Sequence, residues 1–209
     1  MQPNYIYYGR PEPLPERHRL RAGELDLIYE NGCLRYLSAG GVEILRMIYH
    51  AVRDHNWDTI AGQLENEELG IGEDRFEILY DSVHRQGGIH FVWHCRIVGE
   101  ADSSLVFDIR GRARSTFRKN RIGFCVLHPA DCAGRACEIT HSDYSREKGP
   151  FPEMISPHQP FQDIRAMRWK TSGKGEAELR FSGDIFEMED QRNWTDASFK
   201  TYCTPLAIP

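Results

Sequence analysis

The sequence predicts an all-β protein: a large two-sheet antiparallel β-sandwich with few short helices. Three observations carry this. Apolar residues recur at every second position through most of the chain. Turn-forming pairs such as Asn31-Gly32 and Gly87-Gly88 separate the alternating runs at short spacing. The 209 residues, 40% hydrophobic and 11% aromatic, can enclose one sizeable core, and single all-β units of about 200–250 residues are ordinary. A chain of this length is expected to form large sheets.

Residues 1–23 are rich in Pro, Arg and Glu and read as an extended arm; residues 24–209 read as the sandwich. Strands are expected at 24–29 and 33–37, because Asn31-Gly32 between them accepts the positive φ angles of a type I′ hairpin turn. Residues 42–53 carry apolar side chains on both alternating faces, as in a strand covered on both sides. A short amphipathic helix is the competing reading. Two further strands, 76–84 and 89–98, flank Gly87-Gly88. In residues 105–117, Leu105, Phe107, Ile109, Gly111 and Phe117 alternate with Asp108, Arg110, Arg112 and Arg114, which fits a half-buried strand and no helix. Residues 121–128, 166–170, 177–182 and 185–190 continue the period. The span 129–162 holds Pro150, Pro152, Pro157 and Pro160 and reads as a long ordered excursion.

Composition excludes several classes. A net charge of −5 and an isoelectric point near 6.0 argue against a general nucleic-acid binder, which needs a basic surplus. No apolar run approaches the roughly 20 residues that span a bilayer. The N-terminus lacks the charged-then-apolar pattern of a signal peptide. Six cysteines are too sparse for a disulfide scaffold. The expected location is the cytoplasm, and the Asn193-Trp194-Thr195 sequon reads as coincidence.

The chemistry-bearing candidates cluster near the end. In a strand, Glu187 and Glu189 share one face, about 6.5–7 Å apart, close enough to interact as carboxylates. Asp190 and Arg192 continue the opposite Phe186/Met188 face and could form a polar lip over an apolar floor. A carboxylate to activate water beside a cation to offset developing charge is what hydrolysis requires. A solvated strand face with local ion pairs is the competing reading. Asn193, Trp194 and Lys200 add residue types common at sugar sites. His128 ends an apolar strand before Pro129, and with His141 and His158 it could line a pocket. Catalytic candidates are therefore Glu187, Glu189 and His128, and substrate-binding candidates are Asp190, Arg192, Asn193, Trp194, His158 and Lys200.

Arg110, Arg112, Arg114, Arg118, Lys119 and Arg121 form a basic stretch. Glu176 and Glu178 are its expected cross-strand partners, with a small carboxylate such as an aldonate as the alternative ligand. His90 and His94 stand about 13 Å apart in a strand and cannot chelate one ion, although His84 could face His90 across its hairpin. No CxxC pair, glycine-rich phosphate loop, GxSxG or HExxH occurs. No metal and no cofactor is expected.

Several strings go beyond composition: Glu43-Ile44-Leu45-Arg46-Met47-Ile48-Tyr49-His50 running on to Asn56-Trp57; Asn120-Arg121-Ile122-Gly123-Phe124 through His128-Pro129; Phe151-Pro152-Glu153; Ser156-Pro157-His158-Gln159-Pro160-Phe161; and 187–200 with Thr201-Tyr202-Cys203. From about Leu20 onward the chain resembles the N-terminal region of the D-apionate lactonase family, bacterial proteins of apiose catabolism. The resemblance implies a β-sandwich, expected to be similar to the galactose-mutarotase-like supersandwich, that precedes a TIM-barrel domain in a longer parent chain. It also implies hydrolysis of a sugar lactone, D-apionolactone, to its aldonate, D-apionate. Barrel enzymes keep their chemistry at the C-terminal strand ends, so the resemblance leaves this domain a scaffold or substrate-side role. Residues 204–209 read as a linker-like exit. The implied partners are a small carbohydrate or aldonolactone and that barrel, with no nucleic acid and no membrane; assembly into a homo-oligomer is left open. Two other readings stand beside this one. One is a self-sufficient aldose epimerase-like enzyme with His128 or His158 as acid and Glu187 or Glu189 as base. The other is a non-catalytic carbohydrate-binding module with Trp194 or Trp169 as an exposed platform.

Overall fold

The computed structural model describes residues 3–9, 11–173, 175–194 and 197–203; Thr195, Asp196 and the 204–209 exit lie outside the described residues. Strand period and turn chemistry combine here into three antiparallel sheets in two layers. The first layer is one eight-stranded sheet. In spatial order it runs β1 (Arg17–Ala22), β2 (Leu25–Glu30), β3 (Cys33–Ala39), β4 (Val42–Asp54), β9 (Lys119–His128), β16 (Ser198–Cys203), β15 (Phe186–Gln191) and β12 (Phe161–Ile164). The second layer consists of two four-stranded sheets. One is β5 (Gly62–Ile71), β6 (Phe76–Gln86), β7 (Ile89–Gly99) and β8 (Leu105–Ala113); the other is β11 (Arg146–Pro150), β10 (Ala136–Thr140), β13 (Ala166–Lys170) and β14 (Glu176–Arg180).

Each small sheet covers half of one face of the large sheet. In the first half, Leu20, Leu27, Leu34, Ile48 and Val52 share a core with Phe76, Ile78, Tyr80, Trp93 and Ile97. In the second, Phe186 stacks on Phe181 at 3.8 Å between ring centroids, and Phe199 meets Phe151 at 5.1 Å. Phe124, in the middle of the large sheet, bridges toward the first half through Phe107 at 5.1 Å. Burying these aromatic and aliphatic faces is the main source of stability.

The local signals act as their chemistry requires. Asn31 and Gly32, at φ 49° and 75°, close the β2–β3 turn, and Gly87 at φ 56° turns β6 into β7. Residues 42–53 are strand and not helix. The double-sided apolar pattern arises because Val52 enters the core while Ala51 packs under Cys125 and Tyr202 on the other face.

Three expectations need correction. The arm is partly built into the fold, since Pro3–Tyr8 is a short helix (α1) and β1 pairs along its whole length with β2. The 129–162 excursion contains β10, β11 and the start of β12. His84 stands opposite Phe91, not His90, and its imidazole is buried against the Ile60 carbonyl at 2.7 Å.

Candidate functional site

The pairing order β4–β9–β16–β15 brings residues far apart in sequence onto the outer face of the large sheet, opposite the core. Tyr49 lies across from Cys125, Cys125 from Tyr202, and Tyr202 from Glu187. In the neighbouring row Leu127 faces Lys200 and Lys200 faces Glu189. The side-chain period of two therefore places Glu187, Glu189 and Lys200 together on this face. Two further residues complete the group, Tyr202 and Arg121.

The Tyr202 hydroxyl lies 2.6 Å from Glu187 Oε1 and 2.5 Å from Glu189 Oε1. A phenol has one hydrogen, so the two carboxylates share a single donor. Arg121 offsets their charge, with Nη2 2.9 Å from Glu187 and Nη1 3.9 Å from Glu189. Its guanidinium lies 3.8 Å from the Tyr202 ring centroid and 5.2 Å from that of Trp57. Burial first, and then the hydrogen bonds to the two carboxylates, hold the Tyr202 phenol well above its ordinary range. It therefore stays a donor at neutral pH. Lys200 is buried, with its ammonium 5.8 Å from the Tyr49 ring.

The remaining candidates separate from this group. Asp190 faces the core side, where its carboxylate is fully enclosed. Arg192 donates to it through Nη2 at 2.7 Å and Nε at 2.9 Å, and the Ser156 N–H at 2.9 Å. Arg192 also donates to the Glu153 and Met154 carbonyls, each at 3.1 Å. Burial alone would raise the Asp190 pKa, but Arg192 and the backbone donors outweigh it and hold it below the ordinary carboxylate range. The pair is a clamp that fastens the 153–156 loop, and its donors and acceptors are consumed in doing so. Asn193 and Trp194 follow in an exposed turn, and His158 is exposed on the clamped loop.

His128 is fully buried against Trp169 and Phe151, with Nε2 2.8 Å from Thr201 Oγ1. Burial drops its pKa to about 3. It lies on the core side of the sheet and Glu187 on the outer side, so the two cannot serve one reacting centre as acid and base. Trp169 is buried and Trp194 is 70% exposed, so of the two proposed platforms the structure leaves Trp194. Glu178 pairs with Arg168 and Arg180, not with the basic stretch, because β14 and β8 belong to different sheets. Arg110 and Arg112 are solvent-exposed, whereas Arg121 turns into the site.

Arg121, Tyr202 and Trp57 carry no local signal of their roles. Only the non-local register brings them to Glu187 and Glu189, although all three fall in the strings singled out above. A cavity of about 10 Å³ adjoins the group, lined by Ala51, Arg53, Arg121, Gly123, Cys125, Tyr202 and Cys203. That is room for about one water. A shallow trough of about 510 Å³ lies elsewhere, on the outer face of the β10–β14 sheet; none of the catalytic or substrate-binding candidates lines it, and of the two platform candidates it is the buried Trp169 that does. Among the described residues no three His, Cys, Asp or Glu side chains gather as metal ligands, and no helix is long and apolar enough to cross a membrane.

Comparison with known proteins agrees with the strings. The D-apionate lactonase N-terminal domain family matches residues 5–209. The D-apionate lactonase of Brucella anthropi is 36% identical over 207 residues, which cover 98% of this chain and 34% of that protein. The chain thus spans about a third of the length of the curated relative it matches. On this match over nearly its whole length, the chain belongs to the D-apionate lactonase N-terminal domain family.

Proposed function

We propose that this chain is the N-terminal β-sandwich domain of a cytoplasmic sugar-lactone hydrolase acting on D-apionolactone, and that it serves as scaffold and as a substrate-side wall. The observation that carries this reading is the outer-face group itself. Glu187, Glu189, Tyr202 and Arg121 supply paired acceptors, a donor and a cation suited to a polyhydroxylated ligand, yet the adjoining cavity holds about one water. The group can touch one side of a substrate but does not enclose it. Acid and base chemistry would then come from the rest of the longer parent chain.

A carbohydrate-binding role gains support from the exposed Trp194 and Trp57 rings. Of the two acid candidates of the epimerase-like alternative, His128 is sealed in the core and His158 alone is left.

The test compares lactone turnover by these 209 residues with that of the full-length Brucella anthropi D-apionate lactonase, using D-apionolactone. Turnover by the full-length relative alone is the expected result. Equal rates per mole would overturn the scaffold assignment.

A further inference from the structure

The clamp between Asp190 and Arg192 holds an apolar patch out into water. The Asp190 side chain is fully enclosed and that of Arg192 is only 10% exposed. Taking two charges out of water is costly, and in many proteins replacing such a pair by apolar residues is neutral or stabilising. What this pair adds is a fixed position for the 153–156 loop, through the Glu153 and Met154 carbonyls and the Ser156 N–H. The loop presents Met154 at 83% exposure and Ile155 at 46%. Trp194, 70% exposed, follows two residues after Arg192, in the turn between β15 and β16 that the same guanidinium ties to the loop.

Exposed apolar side chains gathered in one place mark an interaction surface, and Trp and Met are enriched at the buried centres of protein interfaces. The polar groups of the clamp are already used. Both Asp190 oxygens accept from Arg192, and Oδ2 also accepts from Ser156. Arg192 Nη1 and Nη2 donate to the two carbonyls, and the Ser156 hydroxyl donates to the His158 carbonyl. Little is left there for the hydroxyls of a sugar, which favours an apolar protein surface as the partner.

The length of chain outside the domain points to one occupant. About two-thirds of the Brucella anthropi relative lies outside the matched part, and the matched family is that of the N-terminal domain. From the turn that holds Trp194, the six-residue β16 runs to Cys203, where the described chain leaves the sheet about 20 Å away. That is less than the roughly 30 Å width of a small domain, so a following domain can cover the patch without a long linker.

We propose that Met154, Ile155 and Trp194 form the seat on which the part of the parent chain following residue 209 docks, with the Asp190–Arg192 clamp setting its position. This rests on the reading of the chain as one domain of a longer protein.

Methionine footprinting with dilute hydrogen peroxide, read by mass spectrometry, tests it on the 209-residue chain and on the intact parent chain. In the 209-residue chain, sedimenting as a monomer, Met154 should oxidise at least tenfold faster than the buried Met167 and Met188. In the parent chain the Met154 rate should fall at least tenfold. M154E/W194E should leave the melting temperature of the 209-residue chain unchanged, because both side chains already stand in water there. When the parent chain is cut at a protease site introduced after residue 209, the two pieces should stay together in gel filtration, and M154E/W194E should weaken their association at least tenfold. Equal Met154 rates in the two chains, or cut pieces that hold together equally well in M154E/W194E, would overturn the docking. So would shielding of Met154 in the 209-residue chain, by a second copy in a dimer or by added D-apionolactone, since the seat would then have another occupant. A parent chain that hydrolyses D-apionolactone yet leaves Met154 open would overturn this proposal and leave the reading it rests on standing.

Discussion

Burying His128 makes the stability of this domain depend on pH, with a sign and size that follow from its surroundings. In the folded chain the imidazole is enclosed by Trp169, Phe151 and Thr201, and burial lowers its pKa from 6.5 to about 3. In the unfolded chain it titrates near 6.5. The unfolded state therefore binds a proton that the folded state refuses, and stability falls as the solution is acidified below pH 6.5. The slope is about 1.4 kcal/mol per pH unit for this one group, so about 2 kcal/mol is gone at pH 5. His50, lowered to about 3 by burial and by the neighbouring His84, behaves in the same way. Together they remove about 4 kcal/mol at pH 5, a large part of a typical domain's 5–15 kcal/mol. His128→Gln keeps an amide to meet Thr201 and removes one titrating ring. Urea unfolding followed by circular dichroism at pH 5, 6, 7 and 8 should give H128Q a slope between pH 5 and 6 shallower than the parent's by about 1 kcal/mol per unit, and the same slope as the parent between pH 7 and 8. Equal slopes between pH 5 and 6 would refute the assignment, whatever the absolute stability of the variant.

Other consequences follow from contacts already described. Arg192→Met leaves the enclosed Asp190 carboxylate without its cation and should cost about 3–5 kcal/mol in urea unfolding, with less lost in the D190N/R192M pair. Tyr202→Phe removes the one donor shared by Glu187 and Glu189 and should lower stability by about 1–3 kcal/mol, read as a fall in the denaturation midpoint. Gly99→Ala would drive a methyl into the Phe76 ring and the Ala22 side chain, where β1 meets the first small sheet. It should cost about 1–3 kcal/mol, whereas Gly87→Ala, with open space around it but a φ of 56°, should cost only the backbone strain of about 1 kcal/mol.

What was legible in the sequence depended on how local its cause was. The hairpins at Asn31-Gly32 and Gly87-Gly88 and the strand at 166–170 follow from neighbouring residues and stand where the pattern placed them. Gly62–Ile71 gave no strand signal because it is an edge strand exposed along most of its length. It is also interrupted by Asn66 at φ 54°, where the register shifts between Glu65 and Glu68. Arg17–Ala22 alternates, but within a stretch whose Pro and Arg content reads as an arm. At the site, the alternation put Glu187 and Glu189 on one face and Asp190 on the other, as period two demands. What it could not supply was the partner across the strand. Tyr202 reaches the carboxylates because β16 lies beside β15, and Arg121 because β9 lies beyond it, and strand order is decided by the whole core. The same limit explains His128, whose position at a strand end suggested a rim while the second small sheet closes over it.

Ser198–Cys203 are the last described residues in the chain, yet they fill an interior slot between β9 and β15. Until those six residues emerge during synthesis, both flanking strands present raw, hydrogen-bond-hungry borders to their surroundings. The large layer thus cannot be sealed until translation is nearly through this region, and its two halves must wait, apart, for the keystone that joins them. A product shortened before Ser198 should lose more than one strand's worth of structure, and should clump through the two open borders.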